Sequence, residues 1–262
     1  MRYAAPPLGD LRFMPPQDPV RSVKQRTQTR LKCVSQSAKA RFIGKSQSED
    51  CLFLNVFAPS NASRYAKLPI FVYIQGGGFN DNSRPKINGA DLIRASDMKM
   101  VVLTMNYRVS VLGFLSYGDK VQPNNGLLDP TKALEWWNKR RIKQKASSKK
   151  SVAPPKMPLL HADQDYRRII AANINVPYPE GTQLPIGMWR PVIDGDFVRD
   201  ALWNSFDQGK FVKVPSVIGA TGNGGYGAPR SCFPGGINAD AVNVVQGDVG
   251  SLCEGLEAQT GV

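Results

Sequence analysis

The longest uninterrupted apolar run in this chain, Leu68 to Ile74, spans seven residues and is followed almost at once by Gly76-Gly77-Gly78. A membrane helix needs roughly 18–20 apolar residues, so this length predicts no transmembrane span. The composition of the run, rich in β-branched and aromatic residues and not alternating with polar ones, suits a strand covered on both faces. Leu52-Phe-Leu-Asn-Val-Phe57, closed by Pro59, and Met100-Val-Val-Leu-Thr-Met-Asn-Tyr107 repeat that character. Between the second and third runs, Gly89 to Met98 carries helical spacing at Leu92, Ile93 and Met98. A strand, helix, strand order results, and with it an α/β fold.

Farther along, Asp129-Pro130 reads as a helix N-cap followed by proline at the first helical position. Ala133, Leu134, Trp136 and Trp137 continue that helix, with Glu135 and Lys139 at i,i+4 spacing. Residues 139–158 then form a basic, Lys/Ser/Pro-rich linker without an apolar face. Order is expected to resume near Leu159, and Lys213-Val-Pro-Ser-Val-Ile-Gly219 has the pattern of one more buried strand. Four parts of a single partial domain follow: 1–138, the linker 139–158, a later segment 159–223, and a Gly-rich tail 224–262.

Charge separates these parts. The chain holds 34 Lys/Arg, 21 Asp/Glu and one His in 262 residues, for a formal charge of +13. Fifteen of the basic residues and no acid lie in two tracts, 21–45 and 139–150, which leaves the remainder with 19 basic and 21 acidic residues. Phe42 is the only aromatic residue in either tract. Without interleaved stacking residues, specific nucleic-acid recognition is not expected, although a polyanion-binding basic protein stays as an alternative. One histidine leaves little for a metal site, and neither metal nor cofactor is expected. Arg2 and four early prolines, with no apolar core, give no signal peptide in the sequence as written.

Glu49-Asp-Cys-Leu-Phe-Leu-Asn-Val-Phe-Ala-Pro59 resembles the second signature of the type-B carboxylesterases, the α/β-hydrolase family of cholinesterases and fungal lipases. Four further segments resemble that family in the same order. They are Arg2-Tyr-Ala-Ala-Pro-Pro-Leu-Gly-Asp-Leu-Arg-Phe13; Gln75-Gly-Gly-Gly-Phe79; Asn106-Tyr-Arg-Val109 with Gly113-Phe-Leu115; and Asn125-Gly-Leu-Leu-Asp129 with Ala133-Leu-Glu-Trp136. A weaker likeness covers Pro191-Val-Ile-Asp-Gly-Asp-Phe197 and Gly209 to Pro215. The resemblance implies an α/β-hydrolase-like fold, a mostly parallel sheet with helices on both faces, here truncated and lacking the nucleophile-elbow segment. It implies hydrolysis of small-molecule or lipid carboxylic esters through a serine acyl-enzyme, and secretion.

On that resemblance, Gly77 and Gly78 supply the oxyanion-hole donors, Cys33 and Cys51 pair in a disulfide, and Arg12 and Glu49 form a structural ion pair. Physically, consecutive glycines after a strand can turn several N–H groups toward one point without a side chain in the way. Gln75 stands where His or Tyr is usual. The triad is another matter, because a serine nucleophile needs a histidine base and a carboxylate that orients it. No G-x-S-x-G occurs in the chain, and the basic tract from Lys139 sits where the family places that elbow. Ile218-Gly-Ala-Thr-Gly-Asn-Gly-Gly225 places Gly224 at the family's acid position. The family's histidine falls beyond the matched region, and His161 fits it in neither order nor context. No catalytic residue is therefore assigned, and an inactive member is expected. A non-catalytic binding or adhesion module of the same fold is the alternative. Loss of the elbow strand is expected to uncover the apolar faces of Leu68–Ile74 and Val101–Met105 and to favour aggregation. Asn61-Ala-Ser63 is a glycosylation candidate, and the pairing of Cys232 and Cys253 is left open.

Overall fold

The computed structural model describes residues 1–19, 31–35, 46–63, 66–81, 85–118, 121–142, 165–174 and 189–213. The chain divides into two compact units, 1–177 with 187–192, and 178–186 with 193–262.

The first unit is built on a three-stranded sheet in the order β1 (Leu54–Phe57), β3 (Val101–Met105), β2 (Ile70–Ile74). β3 runs parallel to β2, with Ile70 opposite Val101 and Ile74 opposite Met105, and antiparallel to β1, with Leu54 opposite Met105 and Phe57 opposite Val102. The described sheet is thus mixed, half of its two ladders being parallel. Its central strand is covered on both faces: Val102, Leu103 and Met105 are fully buried and Thr104 nearly so. The expected uncovering of β3 does not occur. β2 lies at the edge of this sheet, with Phe71 44% and Ile74 53% exposed, so the cover on both faces expected from its composition is not found, whereas the exposure expected for it without the elbow strand is.

Helix α1 (Gly89–Ala95) connects β2 to β3 and packs against β3 and β1. Asn88 caps it, its side chain accepting the Ala90 N–H at 3.1 Å. Glycine opens the helix because a Cβ there would come within 2.3 Å of the Phe57 ring. Past β3, the short helix α2 (Ser110–Phe114) is entirely buried and packs on α3 (Asn125–Ile142).

The expected start of α3 at Asp129-Pro130 is wrong. Asn124, in the left-handed region at φ 60°, accepts the N–H groups of Leu127 at 2.9 Å and Leu128 at 3.1 Å, so the helix starts directly after it. Pro130 lies inside, where its missing N–H leaves the Gly126 carbonyl without that helical bond. Asp129 does not cap because its carboxylate is engaged by Arg108. Nor do Glu135 and Lys139 pair: Lys132 and Lys139 both reach Asp18, at 2.7 and 3.5 Å, and Glu135 lies 3.8 Å from Lys132.

Two buried clusters close the first unit. One joins Tyr3, Cys33, Cys51, Leu52 and Leu54 to Leu103, Met105, Ala133 and Trp136. The other joins Phe13 and Val34 to Val111, Leu112, Val121 and Ile170, the last from helix α4 (Tyr166–Ile174). The N-terminal segment is therefore core material. Tyr3 is fully buried, and its hydroxyl donates to the Asn106 carbonyl at 2.7 Å.

In the second unit the described residues are 193–213. Asp194 accepts the N–H groups of Asp196 and Val198 in a turn, and a short helix, α5 (Leu202–Asp207), follows with Leu202 and Trp203 exposed. The strand expected over Lys213–Gly219 lies, past Lys213, outside the described residues, as do the start of order at Leu159 and the tail 224–262. Apart from Lys32 and Lys139, the basic side chains of both tracts lie outside them too.

Candidate active site

The glycine loop leaves the C-terminal end of β2, and its conformation is fixed by what surrounds it. The buried side chain of Gln75 accepts the Lys86 N–H at 3.0 Å and donates to the Gly76 carbonyl at 3.0 Å, while its backbone carbonyl accepts the Tyr107 hydroxyl at 2.5 Å. Burial pushes the Tyr107 phenol upward, so it stays a donor at neutral pH. Gly78 at φ 58° is a left-handed residue and needs glycine, and Phe79 follows at φ 64°. A positive φ at an aromatic residue costs energy and persists only where neighbours over-determine it. Here the Phe79 carbonyl accepts the Ser110 N–H at 2.7 Å, and its ring packs 5.1 Å from that of Phe114.

The turn then closes on itself. The Gly77 carbonyl accepts the N–H groups of Asn80 at 3.1 Å and Asp81 at 3.0 Å. Asn80 donates from Nδ2 to the carbonyls of Gly78 at 2.5 Å and Trp189 at 2.9 Å, and accepts the Trp189 N–H at 3.2 Å. Asn124 holds Val192 in the same way, donating to its carbonyl at 2.8 Å and accepting its N–H at 2.9 Å. These two amides imitate a strand partner, and they fasten residues 189–192 to the loop and to the start of α3. Among the described residues no protein acceptor takes the N–H of Gly77 or Gly78. The space beside the Gly78 Cα is open to 4 Å. Chemically, two backbone N–H groups without a protein acceptor at a glycine turn are the kind of donor that an oxygen carrying negative charge can use.

The other residues singled out from sequence gather elsewhere. Cys33 and Cys51 are joined in a buried disulfide with Cα atoms 5.0 Å apart. Beside it, Arg12 binds Glu49 at two points, Nε to Oε1 at 2.6 Å and Nη2 to Oε2 at 3.1 Å, both residues about 95% buried. Burial pushes the Glu49 carboxyl upward, against the two charged hydrogen bonds from Arg12. A cavity of about 10 Å³ lies between these pairs and Arg108. Asn61 is exposed in the turn after β1. Gly224, His161, Cys232 and Cys253 lie outside the described residues. No group of three metal-ligating side chains and no helix long and apolar enough to cross a membrane occurs among the described residues.

Sequence reasoning missed the pair formed by Arg108 and Asp129, although both stand inside the motifs matched above. It also missed Tyr107 and the two clamping asparagines. Neither asparagine has a local signal in the sequence that would have found it.

A parallel β2-α1-β3 unit with a glycine loop at the end of β2 is an α/β arrangement, and a solved structure similar to it is that of an α/β-hydrolase esterase. The sequence profile of the Carboxylesterase family matches residues 1–153, more than half of the chain. The chain belongs to the carboxylesterase family. It is 36% identical over 148 residues to carboxylesterase 1F of Mus musculus, covering 51% of this chain and 26% of that one. To the cocaine esterase of Oryctolagus cuniculus it is 37% identical over 149 residues, covering 52% and 28%. The crystal structure of Aspergillus niger EstA superimposes with a TM-score of 0.68 at 33% identity, covering 82% of this chain and 54% of that one. The chain matches about a quarter of the length of these curated relatives.

Proposed function

We propose that this chain carries the oxyanion-binding scaffold of a carboxylic ester hydrolase without the nucleophile, and that the 262 residues do not turn over esters. Gly77 and Gly78 are its oxyanion donors, and small-molecule or lipid esters are the substrate class the scaffold is built for. The observation that carries this reading is internal to the chain: no G-x-S-x-G occurs anywhere in the sequence, and the basic tract from Lys139 stands where the family's serine elbow is due. Gly224 in the acid position supports it. Donors alone can retain about 10³–10⁴ over water in an intact protease with a bound substrate, but they cannot form an acyl-enzyme. The Cys33–Cys51 bridge points to folding in an oxidising compartment, which agrees with a secretory origin and with glycosylation at Asn61.

The test is incubation of the purified chain with a short activated ester and with a fluorophosphonate that labels nucleophilic serines. The expected result is hydrolysis at the buffer rate and no labelling. Stoichiometric labelling of one serine, with turnover abolished by its replacement with alanine, overturns the reading.

A further inference from the structure

We infer that the free edge of β2 is a self-association surface, on which a second copy of this chain pairs its own β2 antiparallel about Val72. β2 hydrogen-bonds to β3 along one edge, and among the described residues nothing pairs along the other. Natural sheets protect such an edge with charge, proline, a bulge or a covering segment. From Ile70 to Ile74 this strand has no charged residue, proline or glycine. Successive side chains alternate between the faces of a strand, so Phe71, 44% exposed, and Ile74, 53% exposed, bare both faces at once.

The occupant follows from the sequence of the strand. In a two-fold antiparallel register centred on Val72, Ile70 faces Ile74, Phe71 faces Tyr73 and Val72 faces itself. Each pairing is aliphatic with aliphatic or aromatic with aromatic, which favours cross-strand contact. The nearest charge, Lys67, falls opposite Gly77 and so avoids its own copy. A charged partner strand would find only apolar side chains to face. A five-residue strand pair is small beside the roughly 1,200–2,000 Å² of a stable interface, so the association is weak and depends on concentration. The inference does not rest on the catalytic reading above, and an active chain would leave it intact.

Analytical ultracentrifugation of the full chain across a concentration series is expected to show a monomer–dimer equilibrium. Phe71→Lys or Ile74→Lys, each placing a charge on the edge, is expected to raise the dissociation constant by about tenfold or more. The folding of these variants is checked through their circular dichroism. A second measurement does not depend on them: in a Cys232→Ser/Cys253→Ser background, Val72→Cys is expected to cross-link to its copy with a short bis-maleimide, and Asp91→Cys on α1 is not. A chain that stays monomeric at every concentration overturns the proposal. So does a dimer that neither lysine weakens and that Val72→Cys fails to trap. Slow exchange, independent of concentration, of those β2 amides that face away from β3 also overturns it, by showing that a segment of the same chain covers the edge.

Discussion

Arg108 and Asp129 meet through three hydrogen bonds: Nη2 to Oδ1 at 2.7 Å, Nε to Oδ2 at 2.9 Å, and the Arg108 backbone N–H to Oδ2 at 2.9 Å. The remaining guanidinium nitrogen donates to the carbonyls of Arg12 and Met14. One side chain thereby joins the end of β3, the first turns of α3 and the N-terminal segment, with both charges at least 97% buried. Removing either partner strands a charge in the interior. Arg108→Met is expected to destabilise the chain by about 3–5 kcal/mol, read from the denaturant midpoint, and the double variant with Asp129→Leu to recover part of that loss.

The Arg12–Glu49 pair behaves as the same kind of contact, and the exposed Arg94–Asp91 pair on α1 is its control. Arg12→Met is expected to cost about 3–5 kcal/mol, whereas Arg94→Met, on side chains 70% and 62% exposed, costs under about 1 kcal/mol. Equal costs for the two variants in urea titrations would contradict this.

Closing the loop between Cys33 and Cys51 restricts the unfolded chain. On the chain-entropy account a loop of this size contributes about 3 kcal/mol, so Cys33→Ser with Cys51→Ser is expected to lower stability by that order. Peptide mapping after non-reducing digestion should recover the two cysteines in one fragment pair.

Tyr3 and Tyr107 set the alkaline limit. Burial pushes both phenols upward; at Tyr3 the neighbouring Asp129 adds to the effect and Arg108 opposes it. The unfolded chain ionises these tyrosines near pH 10 while the folded chain keeps them protonated. Their contribution is therefore whole below pH 10 and is lost as pH rises past it. In an ultraviolet titration two of the eight tyrosines should ionise only as the chain unfolds, and Tyr3→Phe should leave one.

Gly126 admits no side chain. A Cβ there would stand 2.4 Å from the Phe114 ring and 2.6 Å from the Arg108 carbonyl, and the latter is backbone that cannot turn aside. Gly126→Ala is expected to cost about 1–3 kcal/mol in a thermal or urea melt. Gly118→Ala, in open space at φ 49°, pays only for its backbone strain, about 1–2 kcal/mol.

What sequence could show here divides along the line between local and non-local physics. The three strands and α1 are legible because apolar runs, a glycine triplet and helical spacing are local signals, each complete within about ten residues. The start of α3 is misread for the same reason: Asp129-Pro130 is a sound local cap, but Arg108 claims the carboxylate from 21 residues away. Composition does not separate β2 from β3, since only strand order makes one an edge and the other a centre; the exposure of β2 is expected only through the resemblance and its missing elbow strand. At the site, the resemblance supplied Gly77, Gly78, Cys33, Cys51, Arg12 and Glu49. The clamps from Asn80 to Trp189 and from Asn124 to Val192 span 109 and 68 residues, and nothing in the sequence near them announces a partner.

The burial of the N-terminal segment also sets the timetable of folding. Tyr3 reaches Asn106 across 103 residues and Arg12 reaches Arg108 across 96, so the N-terminal segment is tied into the core by contacts distant in sequence. High contact order slows folding, because the loops must close before the contacts reward them. On the ribosome the first twenty residues emerge early and have nothing to pack on until β3 and α3 follow. For that interval the apolar strand Ile70–Ile74 is on display as well. During synthesis the chain therefore depends on what shelters these segments, and co-expression with a chaperone that holds nascent apolar segments is expected to raise yield at unchanged stability.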